Sequence, residues 1–173
     1  MNAGGHGSDM AAVLERVRVA DLATGDDGWM AADALELAYR HSSIASTHLV
    51  VAAELRLEPG DRDSSQREIS EIVRWRRENQ PGGQNAGSVF TNPPGDSAGR
   101  LIDAAGCKGL RVGSAVVSEK HANFFIADSG GRADDVLALM RTVRARVHEV
   151  HGILLEAETR LVGFPKAQAE VES

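Results

Sequence analysis

Three short stretches of this sequence offer side chains that could carry chemistry. Gly87-Ser88-Val89-Phe90-Thr91-Asn92-Pro93 presents a hydroxyl, Tyr39-Arg40-His41-Ser42 a guanidinium, and Leu155-Glu156-Ala157-Glu158-Thr159-Arg160 a pair of carboxylates. A hydroxyl is a poor acid in water, so Ser88 gives up a proton only where a cation or donor network stabilises the alkoxide and its loop fixes the distance. The planar fork of Arg40 suits a carboxylate on which negative charge grows. The Glu158 carboxyl serves as an acid only if its surroundings raise its pKa. Taken one at a time, each residue also has a plain reading. Ser88 is a turn serine after Gly87, Arg40 a surface arginine in a loop, and Glu158 a solvated strand-edge glutamate.

Other chemistries are poorly served. Cys107 is the single cysteine of the 173 residues, so no internal disulfide can form, and no CxxC or paired Cys/His spacing suggests zinc. That usage fits a reducing cytoplasm, and no metal is expected. A formal net charge of -6 gives nucleic acid an unfavourable average field. The longest apolar runs, Leu49 to Ala53 and Ala122 to Ala127, fall far short of the roughly 20 residues a membrane helix needs. The opening residues, small and polar, lack the basic and apolar segments of a secretory signal. Asn2-Ala3-Gly4-Gly5-His6-Gly7 reads instead as a tight interior loop, as if the chain started within a fold.

The elements that must position these groups follow from periodicity and turn chemistry. Met10, Val13, Leu14 and Val17 recur at helical spacing and predict a short helix over 10–18, before an alternating strand over 17–22. Gly25-Asp26-Asp27-Gly28 is a turn, and Trp29-Met30 a strand end entering a short helix. His48 to Leu57 reads as a strand with Leu55 and Leu57 on one face, stopped by Pro59 and Gly60, where a domain boundary is expected. A helix capped by Ser64 or Ser65 runs to Asn79 with Ile69, Ile72 and Val73 inward. A second, capped by Asp96 or Ser97, ends at Gly106, and a third spans 133–150 with Val136, Leu137, Met140, Val143 and Val147 buried. Short strands are expected at 110–112, 115–117 and 123–127, and extended segments at 153–155 and 159–162. The fold class is α+β.

Five stretches together resemble the family of flavin-dependent UDP-N-acetylenolpyruvoylglucosamine reductases: Asn2-Ala3-Gly4, Tyr39 to Ser42, Gly87 to Pro93, Val117-Ser118-Glu119-Lys120-His121-Ala122-Asn123-Phe124 and Leu155 to Arg160. Each is short, but their order and spacing across almost the whole chain match the family. The resemblance implies that residues 1–60 are the C-terminal part of an FAD-binding domain whose first portion is missing. Residues 61–164 would be a substrate-binding α+β domain with a C-terminal return strand, and 165–173 a polar tail. It implies that NADPH reduces FAD and that the flavin passes hydride to the enolpyruvyl group of UDP-N-acetylglucosamine enolpyruvate, giving UDP-N-acetylmuramate for peptidoglycan.

Within that resemblance Ser88 is the proton donor, Arg40 and Glu158 the other catalytic residues, and Asn2, Ala3 and Gly4 the loop against the flavin. Tyr39, Asn92, Lys120, His121 and Asn123 bind the nucleotide sugar, whose diphosphate and uracil need cations and amide-type donors. The sequence departs from the family motif at Thr91, where lysine is usual, so a cation expected near the substrate is absent there. Two further readings stand beside the enzyme: a flavin-free fragment that binds the nucleotide sugar without activity, and an unrelated α+β regulatory module. No protein partner is predicted.

Overall fold

The protein is described from a computed structural model over residues 1–164, and the polar tail expected at 165–173 lies outside the described residues. It divides into two compact units, Met1–Ile72 and Val73 onward, each with its own core. The division falls inside a helix rather than at Gly60.

The first unit is built on an antiparallel sheet ordered β4-β3-β5, formed by β3 (Leu14–Asp21), β4 (Asp27–Ala31) and β5 (His48–Leu55), beside a small hairpin of β1 (Gly4–Gly5) and β2 (Ser8–Asp9). Leu14, Val17 and Val19 of β3 pack with Leu35 as its core. The helix expected over 10–18 is a single 3-10 turn, Met10–Ala12, followed by strand. The cause is a register shift between Leu14 and Arg16, a bulge that puts Leu14 and Val17 on one face at the three-residue spacing of a helix. β5 is present as expected, but Leu55 and Leu57 are both exposed. The short helix predicted after Trp29-Met30 is the 3-10 turn Ala32–Leu35.

The helix α1 (Arg62–Asn79) is capped not by Ser64 or Ser65 but by Asp61, which accepts from the Ser64 N–H at 2.7 Å. Its expected inward face is not buried: Ile69 and Val73 are both exposed, and no residue of the helix is buried.

In the second unit, α2 (Ala98–Ala104) and α3 (Ala133–His151) cover a three-stranded antiparallel sheet of β6 (Arg111–Val112), β7 (Ala115–Val117) and β8 (Phe125–Ala127). Ser97 caps α2, accepting from the Arg100 N–H, and Gly106 closes it with φ of 68°. Leu137, Leu139, Met140, Val143 and Val147 of α3 are buried against Ala98, Leu101 and Ile102 of α2, Ala115 and Val117 of β7, Phe90 and Leu155. Each large apolar side chain so placed contributes about 1.5–3 kcal/mol, so this cluster dominates the unit's stability. The return strand is not a strand. The expected extended segments reduce to one bridge, Phe90↔Ala157, flanked by bonds from the Thr91 N–H to the Glu156 carbonyl (2.9 Å) and from the Glu158 N–H to that of Val89 (2.8 Å). Residues 88–91 are thus held on both edges, since Ser88 also bridges Phe124 and the Val89 N–H meets the Asn123 carbonyl at 2.9 Å.

Candidate functional site

That doubly held segment forms one wall of a cleft in the second unit. The cleft has a volume of about 320 Å³ and is lined by Ser88 and Asn92, by Ser97, Gly99, Arg100 and Asp103 at α2, by Lys108, and by His121, Ala122 and Asn123. Four of the residues singled out in the sequence, Ser88, Asn92, His121 and Asn123, therefore share one concave surface. Their convergence has a local cause. The Asn123 side chain is buried, and its amide pairs with both polar groups of the Phe90 backbone, taking its N–H at 3.0 Å and giving to its carbonyl at 2.8 Å. Side chain and backbone of one residue thus substitute for a run of strand pairing and fix the serine beside the imidazole.

The Ser88 hydroxyl is half-buried and has no hydrogen-bond partner within the protein among the described residues. Asn92 turns its Oδ1 to the Ala98 N–H at 3.0 Å, bracing the start of α2. His121 is seated edge-on to Phe124, with ring centroids 4.8 Å apart, and its Nδ1 faces the Asn123 N–H at 3.3 Å. Burial pushes its pKa below the ordinary value and the charge of Lys108 acts the same way, while a backbone hydrogen bond of its own residue works in the opposite direction.

Sequence reading missed the cations of this cleft. Lys108 pairs with Asp103 at 2.7 Å, and Arg100 with Asp96, so each lines the cleft already partnered by a carboxylate. Arg100 and the Ser97 N–H hold the Asp96 carboxyl down at about 2. The only sequence signal for Lys108 was its place after the Gly106 helix stop, where a short turn must return the chain to the sheet. Thr91, the departure from the family motif, does not line the cleft and is bonded to the Glu156 carbonyl through its N–H. Lys120 also stands outside the lining, giving its Nζ to the Arg77 carbonyl at 2.8 Å, at the negative end of α1.

Glu158 is half-buried on the far edge of the same segment, its N–H on the Val89 carbonyl, one residue from Ser88. Thr159 Oγ approaches the Ser88 carbonyl at 3.5 Å. The structure thus joins the backbones that carry Ser88 and Glu158.

Tyr39 and Arg40 belong to the first unit. Ala38 and His41 bond across them, which puts the pair at the tip of a tight turn, with Arg40 at φ of 54° and its guanidinium 5.0 Å from the Tyr39 ring centroid. Asn2, bridged to Tyr39, is buried and its amide is engaged by Asp9 and the Ala11 N–H, both at 2.9 Å. At Gly4 a Cβ would stand 2.9 Å from the Asp9 Cβ, so the hairpin itself demands glycine. Ala3, Gly4 and Gly5 are exposed and space is open above Gly5, so a flat ring could approach this backbone closely.

Among the described residues no cluster of His, Cys, Asp and Glu could hold a metal ion, and no helix is long and apolar enough to cross a membrane.

Comparison with known proteins gives the arrangement its context. Residues 79–162, which contain the entire cleft, match the family model described as UDP-N-acetylenolpyruvoylglucosamine reductase, C-terminal domain. The UDP-N-acetylenolpyruvoylglucosamine reductase of Anaeromyxobacter dehalogenans (strain 2CP-C) is 48% identical over 168 residues, covering 95% of this chain and 50% of its own length. That of Heliobacterium modesticaldum (strain ATCC 51547 / Ice1) is 43% identical over 176 residues, 98% of this chain and 55% of its own. The crystal structure of UDP-N-acetylenolpyruvylglucosamine reductase from Thermus caldophilus superposes with a TM-score of 0.80 at 39% identity, over 92% of this chain and 57% of that one. The chain spans about half the length of the curated relatives it matches. With its α+β fold, its cleft and these likenesses in agreement, the chain belongs to the UDP-N-acetylenolpyruvoylglucosamine reductase family.

Proposed function

We propose that this chain supplies the substrate-binding and protonating part of a reductase that converts UDP-N-acetylenolpyruvoylglucosamine to UDP-N-acetylmuramate in peptidoglycan precursor synthesis. The observation that carries the reading is one cleft in which the Ser88 hydroxyl, without a partner among the described residues, shares a lining with Asn92, Lys108, His121 and Asn123. A nucleoside diphosphate needs cations for its phosphates and neutral donors for its base and sugar, and this lining has both. Lys108 and Arg100 are each already neutralised by a carboxylate, so a phosphate would compete with Asp103 or Asp96 rather than fill an empty cation site.

In the reaction Ser88 gives its proton to the substrate carbon next to the one that accepts hydride. Its rigid seat matters more than its intrinsic acidity, because distance and alignment are set before the ligand arrives. Glu158, on the neighbouring segment, acts on the same reacting group as a carboxyl partner, and Arg40 steadies charge growing on the substrate carboxylate. Tyr39 joins in binding the nucleotide sugar. FAD, when bound, would supply the hydride and draw it from NADPH. The backbone of the loop formed by Asn2, Ala3 and Gly4 is the part of this chain that would lie against it.

The test is a titration of the chain with UDP and with the enolpyruvyl substrate, followed by NADPH oxidation with FAD added. Binding that weakens in Lys108→Ala, with turnover that disappears in Ser88→Ala, supports the proposal. Binding without turnover in the unaltered chain favours a nucleotide-sugar-binding module, and indifference of every ligand to Lys108 and Ser88 sinks both.

A further inference from the structure

His121 is seated by its packing against α2, and one contact, at Nδ1, decides which of its nitrogens carries a proton. The Asn123 N–H points at Nδ1 from 3.3 Å, and among the described residues it has no other acceptor. Asn123 is buried, so a proton on Nδ1 would leave that N–H facing another donor with no water to relieve it. The residue's own carbonyl, the competing acceptor for an Nδ1 proton, takes the Phe124 N–H at 2.9 Å and is satisfied without that proton, whereas the Asn123 N–H is satisfied only by Nδ1. On the other side the ring lies against α2 at Gly99, where a Cβ would come within 3.2 Å of Cε1 and 3.7 Å of Nδ1. Gly99 does not have a positive φ, so its backbone does not require glycine, and glycine weakens a helix relative to alanine. The absent methyl leaves room for the imidazole. Nε2 has no partner within the protein among the described residues, and His121 lines the cleft.

We infer that Asn123 fixes His121 as a neutral imidazole protonated on Nε2, in a seat that Gly99 leaves open, so that it presents a single uncharged donor to a carbonyl oxygen of the ligand. The inference rests on the reading of the cleft as a nucleotide-sugar site. It divides the labour among the lining residues: phosphate charge falls to Lys108 and Arg100, and His121 reads a neutral oxygen, either of the base or of the sugar's acetamide. The charged groups that share the cleft with the ring are Arg100 and Asp103 of α2 and Lys108 after it.

Nitrogen-15 spectra of the imidazole in the labelled chain at neutral pH, with and without UDP, test this directly. Expected are a protonated Nε2, an unprotonated Nδ1, and a change at Nε2 on adding ligand. His121→Ala should weaken binding roughly three- to tenfold, the size of one neutral hydrogen bond, while His121→Gln, which keeps a neutral donor, stays near the parent. Gly99→Ala should fold and yet weaken binding, because its methyl displaces the ring. A loss already complete with UDP assigns the oxygen to the base, and one seen only with UDP-N-acetylglucosamine assigns it to the acetamide.

A proton on Nδ1, or a charged ring at neutral pH, overturns the inference and leaves the cleft reading intact. So does an equal loss in His121→Ala against inorganic pyrophosphate, which would put Nε2 on phosphate. If the unaltered chain binds neither nucleotide, the cleft reading itself fails and the recognition by His121 falls with it.

Discussion

The buried amide of Asn123 hydrogen-bonds both backbone polar groups of Phe90, two residues beyond Ser88. Asn123→Leu preserves volume but strands a buried N–H and a buried carbonyl, at about 1–3 kcal/mol each. We expect a loss of about 2–4 kcal/mol in urea unfolding, with Asn123→Asp also destabilised, since a carboxylate would face the Phe90 carbonyl.

Ser88 itself carries little of the fold. Its hydroxyl bonds nothing in the protein among the described residues, so Ser88→Ala should leave the urea midpoint within experimental error. If Ser88 is the proton donor, the same change should lower the rate of the complete reaction by roughly 10²–10⁴ with UDP affinity preserved. A loss of affinity with no loss of rate would make it a binding residue instead.

Acid should unfold the second unit partly through Asp96 and Asp135. Arg100 and the Ser97 N–H hold Asp96 at about 2, and the Ser114 hydroxyl and N–H hold Asp135 below its usual value. A folded-state pKa lower than the unfolded one gives stability that is present above the unfolded pKa, near 4, and is lost as pH falls through the folded one. Urea midpoints measured from pH 5 down to about 2 should therefore decline, and Asp96→Asn should flatten that decline. A midpoint as steep in the variant as in the parent would show that Asp96 has no part in it.

Gly113 is a sharper steric test. It sits at φ of 53°, and a Cβ there would lie 2.4 Å from the Asp135 carboxylate. That carboxylate takes the Ser114 N–H at 2.8 Å and the Ser114 hydroxyl at 2.7 Å, tying β6–β7 to the start of α3. Gly113→Ala combines left-handed strain with the loss of these bonds, and we expect a cost of about 2–4 kcal/mol by thermal or urea unfolding.

Much of the second unit was legible in the sequence because its signals were local. Ser97 and Gly106 mark the ends of α2, and the apolar spacing from Leu137 to Val147 defines the buried face of α3. The errors came where a local pattern had a non-local cause. A bulge in β3 imitated helical spacing at Leu14 and Val17, and the apolar spacing of Ile69, Ile72 and Val73 in α1 faces no core at all. The return strand failed differently, because 156–158 pairs with a segment too short and too occupied on its other edge to make a ladder. For the site, the motifs located Ser88, Asn92, His121 and Asn123. Lys108 and Arg100 escaped notice because only the packing of α2 against the sheet brings them to the same cleft. That Asn123 braces the serine could be learned only from the fold, since an amide in a loop motif looks the same whether it binds a ligand or its own backbone.

Residues 88–91 exchange hydrogen bonds with the 123–124 segment on one edge and with 156–159 on the other. The amide protons of Val89 and Phe90 are released only when the Asn123 side comes away, and that of Thr91 only when the Glu156 side does. In deuterium-exchange terms these three should be among the slowest in the unit, matching the core of α3 rather than a surface loop. On the proposed reading of Ser88, a hydroxyl on such a segment does not adapt to its ligand; the ligand has to arrive in register with it.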